Sequence, residues 1–138
     1  MMIEQQARDF VRSHFAGLRD LLDVEDKAEH SIRVGDAAPA GDSRIAGYLH
    51  DILEEPNGRD GKDLMAYVYN TYGFGVLSLV AALTRNTHES YFEYVTRVAD
   101  SGNEAIALKV IDIKDNIKRT PSASMLGRYA KALEILNA

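Results

Sequence analysis

Three observations predict an all-α fold. Apolar residues recur at helical spacing along most of the chain. No stretch sustains the alternation of β-branched and polar residues that a strand needs. The prolines, Pro39, Pro56 and Pro121, all fall between helical patterns. A proline inside a helix removes a hydrogen bond and clashes with the preceding turn, so this placement leaves each helix intact. The 138 residues suit a single domain, 1–138, with room for a real core. The pattern divides into about six to eight helices.

The elements follow in order. Ile3, Ala7, Phe10, Val11, Leu18 and Leu21 define a first amphipathic helix over roughly 3–22. A second covers about 25–38 and stops near Pro39-Ala40-Gly41. Asp42 or Ser43 can cap a third, which runs to about Glu55. Pro56-Asn57-Gly58 is a stop and turn signal. A fourth helix spans Lys62 to Tyr72, and Gly73 and Gly75 flank the next junction. Val76 to Thr84 is apolar enough for a largely buried helix. Tyr91, Tyr94, Val95 and Val98 form a further stripe, broken by Ser101-Gly102. A longer helix spans about 103–119, and Pro121 stands where a last one starts, continuing to about Leu136.

Composition narrows the function classes. Acidic residues number 21 against 16 basic, a formal net charge of -5. Nucleic-acid binding usually rests on a basic surface, so no nucleic-acid partner is expected. No apolar run reaches about 18 residues, and Met1-Met2-Ile3-Glu4 does not read as a signal peptide, so no membrane association is expected. The chain has no cysteine. Any metal must therefore use imidazole and carboxylate. The same absence suits a cytoplasmic location, and a homo-oligomer is compatible with a helical chain of this size.

Tyr48-Leu49-His50-Asp51 places an imidazole beside a carboxylate in an apolar stretch. Burying both is costly unless something pairs them, and a divalent cation is one such partner. On a helix, Ile45, Leu49, Ile52 and Leu53 share one face, while Gly47, His50, Asp51 and Glu54 share the other. Gly47 removes a side chain from that polar side, as close packing by a backbone or a ligand requires. His30 and Asp112, each inside a helical pattern, can complete a set of ligands. Ile106, Val110, Ile113 and Ile117 read as the buried stripe of their helix, with Asp112, Asp115, Asn116 and Arg119 along its flank.

The order His30, His50-Asp51, Asp112 resembles that of the HD superfamily of metal-dependent phosphohydrolases. Ala46 to Glu55 is similar to the segment around the His-Asp pair in alarmone (guanosine polyphosphate) hydrolases of the RelA/SpoT type. Leu108 to Thr120 is similar to their closing ligand helix, including the Asn four residues after the Asp, and His30 to Ala38 fits their first-ligand helix loosely. The resemblance spans roughly 28–120. Departures bear on the substrate. Glu55 stands where those enzymes usually carry Asp, Asp115 where many carry His, and Leu21 to Asp26 lacks the Arg-Lys pair that helps them hold nucleotide.

The resemblance implies an HD-type helical bundle with one divalent ion held by His30, His50, Asp51 and Asp112. It favours Mn²⁺, and the donor set also permits Fe²⁺, Co²⁺, Ni²⁺ or Zn²⁺. Such an ion activates water and polarises a phosphoryl oxygen. By the same resemblance Glu54 and Glu55 orient the water and move a proton, and Asn116 contacts the substrate. Lys109, Lys118 and Arg119 are candidates for phosphate contacts. The expected activity is hydrolysis of a phosphate or pyrophosphate ester of a small nucleotide, alarmone-like or a monophosphate. The alternative is a catalytically silent HD-like module that binds metal or nucleotide, or serves as an interaction partner. His14 reads as a packing histidine, His88 as an exposed loop residue, and Tyr91, Phe92 and Tyr94 as core.

Overall fold

The computed structural model describes residues 2–20, 24–119 and 122–137. Among them are eight helices: α1 (Met2–His14), α2 (Ala28–Ala37), α3 (Asp42–Leu49), α4 (Gly61–Tyr72), α5 (Phe74–Ala82), α6 (Tyr91–Ala99), α7 (Asn103–Lys118) and α8 (Ala123–Ile135). No strand occurs among the described residues beyond one isolated bridge between Arg19 and Asp26. One contiguous core runs through the elements, from Ala7 and Val11 on α1 to Ala132 on α8. Among the described residues, no helix is long and apolar enough to cross a membrane.

Two predicted helices are shorter than the periodicity suggests. The first ends at His14, because Gly17 takes a left-handed φ of 82° and turns the chain into the Arg19–Asp26 bridge. Leu18 therefore lies in a turn, and Leu21 falls outside the described residues. The third ends at Leu49 rather than Glu55. A continuing helix would offer the Gly47 carbonyl to the Asp51 amide, but the His50 Nδ1–H donates to it instead at 2.7 Å. The His-Asp pair thus sits in a turn, closed by Ile52 N–H to the Leu49 carbonyl at 3.2 Å. The second helix starts at Ala28, three residues later than expected.

Caps differ as well. Gly41, not Asp42 or Ser43, precedes α3. Its amide donates to the buried Glu4 carboxylate of α1 at 2.7 Å, and Ser43 donates to Glu104. Asp60, Ser90 and Ser122 cap α4, α6 and α8 with their side chains, and Ser90 forms a reciprocal capping box with Glu93. Pro121 lies outside the described residues.

The pairing of α2 with α3 positions the site. A Cβ on Gly47 would stand 2.8 Å from the Gly35 Cα, so the two backbones touch where these glycines cross. Tyr48 lays its ring over Gly35 and donates its hydroxyl to Asp36 at 2.6 Å. The short Ala38–Gly41 connection makes the helices antiparallel neighbours. Residues before Gly35 therefore lie beside residues after Gly47, which brings the His30 and His50 rings to 5.2 Å centroid to centroid.

Burial departs from expectation on two helices. On α5 only Val76 and Val80 are fully buried, because the helix packs on α3 and α4 from one side. On α7 the buried residues are Ala105, Leu108, Lys109, Asp112 and Ile113, while Ile106, Val110 and Ile117 are half-buried. The helix is enclosed by α2 on one side and by α6 and α8 on others. That enclosure covers the flank carrying Asp112 along with the isoleucine stripe.

Candidate metal centre

His30, His50 and Asp112 are buried, and one ligand atom from each lies within 4.8 Å of the others. His30 Nε2 is 2.8 Å from Asp112 Oδ1, and His50 Nε2 is 3.3 Å from the same oxygen. Asp51 stands beside this trio. Its Oδ1 is 3.3 Å from His50 Nε2 and its Oδ2 is 4.0 Å from His30 Nε2. Nitrogen and oxygen ligands about 2.0–2.2 Å from one cation lie about 3–4 Å from each other, so this spacing fits a shared ion.

Both imidazoles have the orientation a ligand needs. His30 Nδ1–H donates to Asp115 Oδ2 at 2.7 Å, and His50 Nδ1–H donates to the Gly47 carbonyl at 2.7 Å. Each partner is an acceptor, so each ring is anchored through its Nδ1–H and aims Nε2 inward; without metal, His30 Nε2–H donates to Asp112 Oδ1, and a bound cation would take that proton's place. Fixing the outer nitrogen in this way is how proteins orient metal-ligating histidines. His50 Nε2 is buried and makes no hydrogen bond of its own. A buried orphan acceptor facing carboxylate oxygens requires either a proton or a cation. His30, His50 and Asp112 can therefore hold a metal ion.

The surrounding charges reinforce the arrangement. Asp115 accepts from Arg33 Nε at 2.8 Å as well as from His30, and Arg33 in turn forks onto Glu25 at 2.7 and 2.8 Å. Burial would raise the Asp115 carboxyl, but His30 and Arg33 hold it far below the usual carboxylate range. Lys109 Nζ lies 2.7 Å from Asp112 Oδ2. Burial favours a protonated Asp112, yet Lys109 and the imidazoles keep it ionised. Burial likewise opposes charge on His50, and the Asp51 and Asp112 carboxylates overcome it, lifting its pKa to about 9.

A pH dependence of definite sign follows. Without metal, charged His50 contributes stability that is complete below its ordinary pKa of 6.5 and is lost as pH rises through about 9. Metal must displace that proton, so its affinity rises over the same interval. Thermal melts from pH 6.5 to 9 should show the chelated protein weakening and the gain from added metal growing. A metal-induced gain that shrinks with pH would contradict the ligand assignment.

The centre opens into a cavity of about 420 Å³, a size typical of small-molecule sites. His30, Asp51, Glu54, Lys109, Asp112, Asn116 and Arg119 all line it. Glu54 accepts from the Arg85 amide at 2.6 Å, and burial raises its pKa. Glu55 is placed differently: its Oε2 pairs with Lys27 at 2.9 Å, and it is not among the lining residues. Asn116 Oδ1 accepts from Arg119 at 2.6 Å, and Arg119 also pairs with Asp20 at 3.2 Å. Lys118 is exposed on α7. The opposite wall comes from Tyr91, Tyr94, Met125, Arg128 and Tyr129. Arg128 stacks 4.1 Å from the Tyr91 ring centre.

His14 is a packing residue, as expected, buried with Nε2–H donating to the Glu55 carbonyl at 2.9 Å. His88 is exposed. Tyr94 is core and also faces the cavity, while Tyr91 and Phe92 are half-buried and Tyr91 belongs to the cavity wall. Sequence reasoning assigned no role to Arg33, Glu25, Arg128 or Tyr129, and gave Asp115 no partner. The Lys109–Asp112 and Asp115–Arg119 pairs carried a local signal, since residues three or four apart on a helix share a flank. No protein-family model matches the chain, and no curated protein matches it in sequence.

Proposed function

We propose that this protein is a metal-dependent phosphohydrolase acting on a phosphate or pyrophosphate ester of a small nucleotide. The observation that carries the reading is a pair of imidazoles whose Nε2 atoms converge on two carboxylates at the wall of a cavity. Two imidazoles and two carboxylates suit a borderline divalent ion, and the resemblance to HD phosphohydrolases favours Mn²⁺ among them. When bound, such an ion supplies Lewis acidity, which makes water a nucleophile near neutral pH and polarises a phosphoryl oxygen.

The side chains divide the remaining work. His30, His50, Asp51 and Asp112 bind the ion. Glu54 faces the same cavity with a carboxyl whose pKa is raised by burial, so it can hold a proton and pass it to or from the reacting oxygens. Its hydrogen bond from the Arg85 amide fixes the carboxyl in that position. Asn116 and Arg119 offer donors to phosphate or sugar oxygens from the α7 wall. Glu55 holds Lys27 at the edge of the site. The alternative, a binding module without turnover, predicts stoichiometric metal and no product.

Metal analysis of the purified protein comes first, followed by phosphate and pyrophosphate release from a nucleotide panel with Mn²⁺. Turnover by wild type and its loss in Asp51→Ala, with helicity retained by circular dichroism, is the expected result. Metal bound without release of either product would favour the silent module. Stoichiometric metal in Asp51→Ala would remove Asp51 from the ligand set.

A further inference from the structure

We propose that Lys109 is a two-sided positioning residue, which holds Asp112 as a one-oxygen ligand and presents its charge and remaining donor to the phosphoryl group of the substrate. The inference rests on the metal-centre reading above and adds what makes that centre attractive to an anion.

Lys109 is one helical turn before Asp112, and its side chain is 7% exposed. A lysine so deeply covered needs a reason, because desolvating an ammonium is costly. Asp112 supplies part of it at 2.7 Å. The rings of Tyr94 and Tyr91 add more, with centroids 4.6 and 5.8 Å from Nζ. An ammonium carries three donors, however, and Asp112 takes one. The Tyr94 hydroxyl engages a second. The remaining donor belongs to a side chain that lines the cavity next to the ligands.

Two consequences follow from the geometry. With Oδ2 taken by Lys109, Asp112 turns only Oδ1 toward His30 and His50. The second concerns charge. The carboxylates of Asp51 and Asp112 balance a divalent cation, and neutral imidazoles add nothing. Asp115, outside the ligands, is balanced by Arg33. Lys27 and Arg119, also in the cavity wall, are paired with Glu55 and Asp20. Lys109 is thus the cation in direct contact with a ligand, and it adds a positive charge to a centre whose carboxylate ligands balance the metal. That added charge draws a phosphate and repels the metal. Lys109 therefore tightens one ligand and loosens the other, a sign pattern that a purely structural lysine does not produce.

Two variants separate its parts. Lys109→Gln keeps a donor for Asp112 but removes the charge, and Lys109→Met removes both. Metal affinity is measured by competition with a chromophoric chelator, and inorganic phosphate binding by calorimetry on the metal-loaded protein. Both variants should bind metal about threefold tighter or more, and phosphate about tenfold weaker. With Co²⁺ bound, Lys109→Gln should keep the wild-type visible spectrum. Lys109→Met should weaken it, as Asp112 becomes a two-oxygen ligand and the coordination number rises. Unchanged phosphate affinity in both variants, or weaker metal in both, overturns the proposal. The unaltered protein gives a check independent of variant folding: phosphate added to the Zn²⁺-loaded chain should shift the ¹⁵N resonance of the Lys109 Nζ, and an unmoved resonance also overturns it. A wild-type protein that takes up no divalent metal defeats the metal-centre reading and this inference together. Variants of a metal-binding protein that ignore the charge defeat this inference alone.

Discussion

Asp112→Ala should abolish metal binding and destabilise the metal-free protein by about 3–5 kcal/mol, the usual cost of breaking a buried ion pair from one side. Asp112 has partners on every side. Oδ1 faces His30 Nε2 at 2.8 Å and His50 Nε2 at 3.3 Å, and Oδ2 accepts from Lys109 at 2.7 Å. Alanine strands the Lys109 ammonium in a site that is 7% exposed. It also leaves two imidazoles facing a void, and both lose the carboxylate that favoured their charged forms. Deleting a surface carboxylate such as Asp26, which is largely exposed and pairs with Arg19, should cost far less. Urea denaturation and equilibrium dialysis with Mn²⁺ measure the two effects. If Asp112→Ala unfolds at the wild-type midpoint, Asp112 is not the hub described here. If it keeps one equivalent of metal, the ion lies elsewhere.

Gly47→Ala should destabilise the protein by about 1–3 kcal/mol or more and weaken metal binding in step. Two effects of opposite sign compete. Alanine is the better helix former by about 1 kcal/mol, which favours the substitution. Its Cβ would stand 2.8 Å from the Gly35 Cα and 3.0 Å from the Gly35 nitrogen, which opposes it. Those atoms are backbone and cannot rotate away, so α2 and α3 must separate. The steric effect wins. Separation displaces His30 from His50, so affinity falls although no ligand has changed. Gly127→Ala is the control. Gly127 lies within α8, and a Cβ there meets nothing within 4 Å. That substitution should be neutral or stabilise by about 0.5–1 kcal/mol. A Gly47→Ala protein as stable as wild type, with unaltered metal affinity, would show that the α2–α3 crossing is not what sets the ligand geometry.

Much of the helical architecture was legible in the chain. The turn at Pro56-Asn57-Gly58 and the junctions at Gly73 and Ser101-Gly102 are where local chemistry puts them. Gly47 was readable as a point of close approach, and a backbone does approach it. Overlong helices were the commonest error. Leu18 continues the helical spacing past Gly17, and Ile52 and Leu53 continue it past His50, so periodicity alone carried both helices too far. Periodicity reports which residues face the core and is blind to whether the backbone between them is still helical. The isoleucine stripe of α7 misled for a related reason: a helix enclosed on several sides buries more than one face.

Local spacing, turn residues and the absence of cysteine by themselves determined that the chain is helical, where most helices break, and that any metal must be held by nitrogen and oxygen. They also marked His30, His50, Asp51 and Asp112 as groups in need of a partner. Tertiary structure alone decided that these groups meet, that Asp115 and the Gly47 carbonyl orient the two imidazoles, and that Glu54 faces the cavity while Glu55 pairs with Lys27. The reason is one of range. Helix signals are read over a few residues, whereas the distance from His30 to Asp112, 82 positions apart, is set by how α2, α3 and α7 cross, and that crossing depends on contacts no single segment contains.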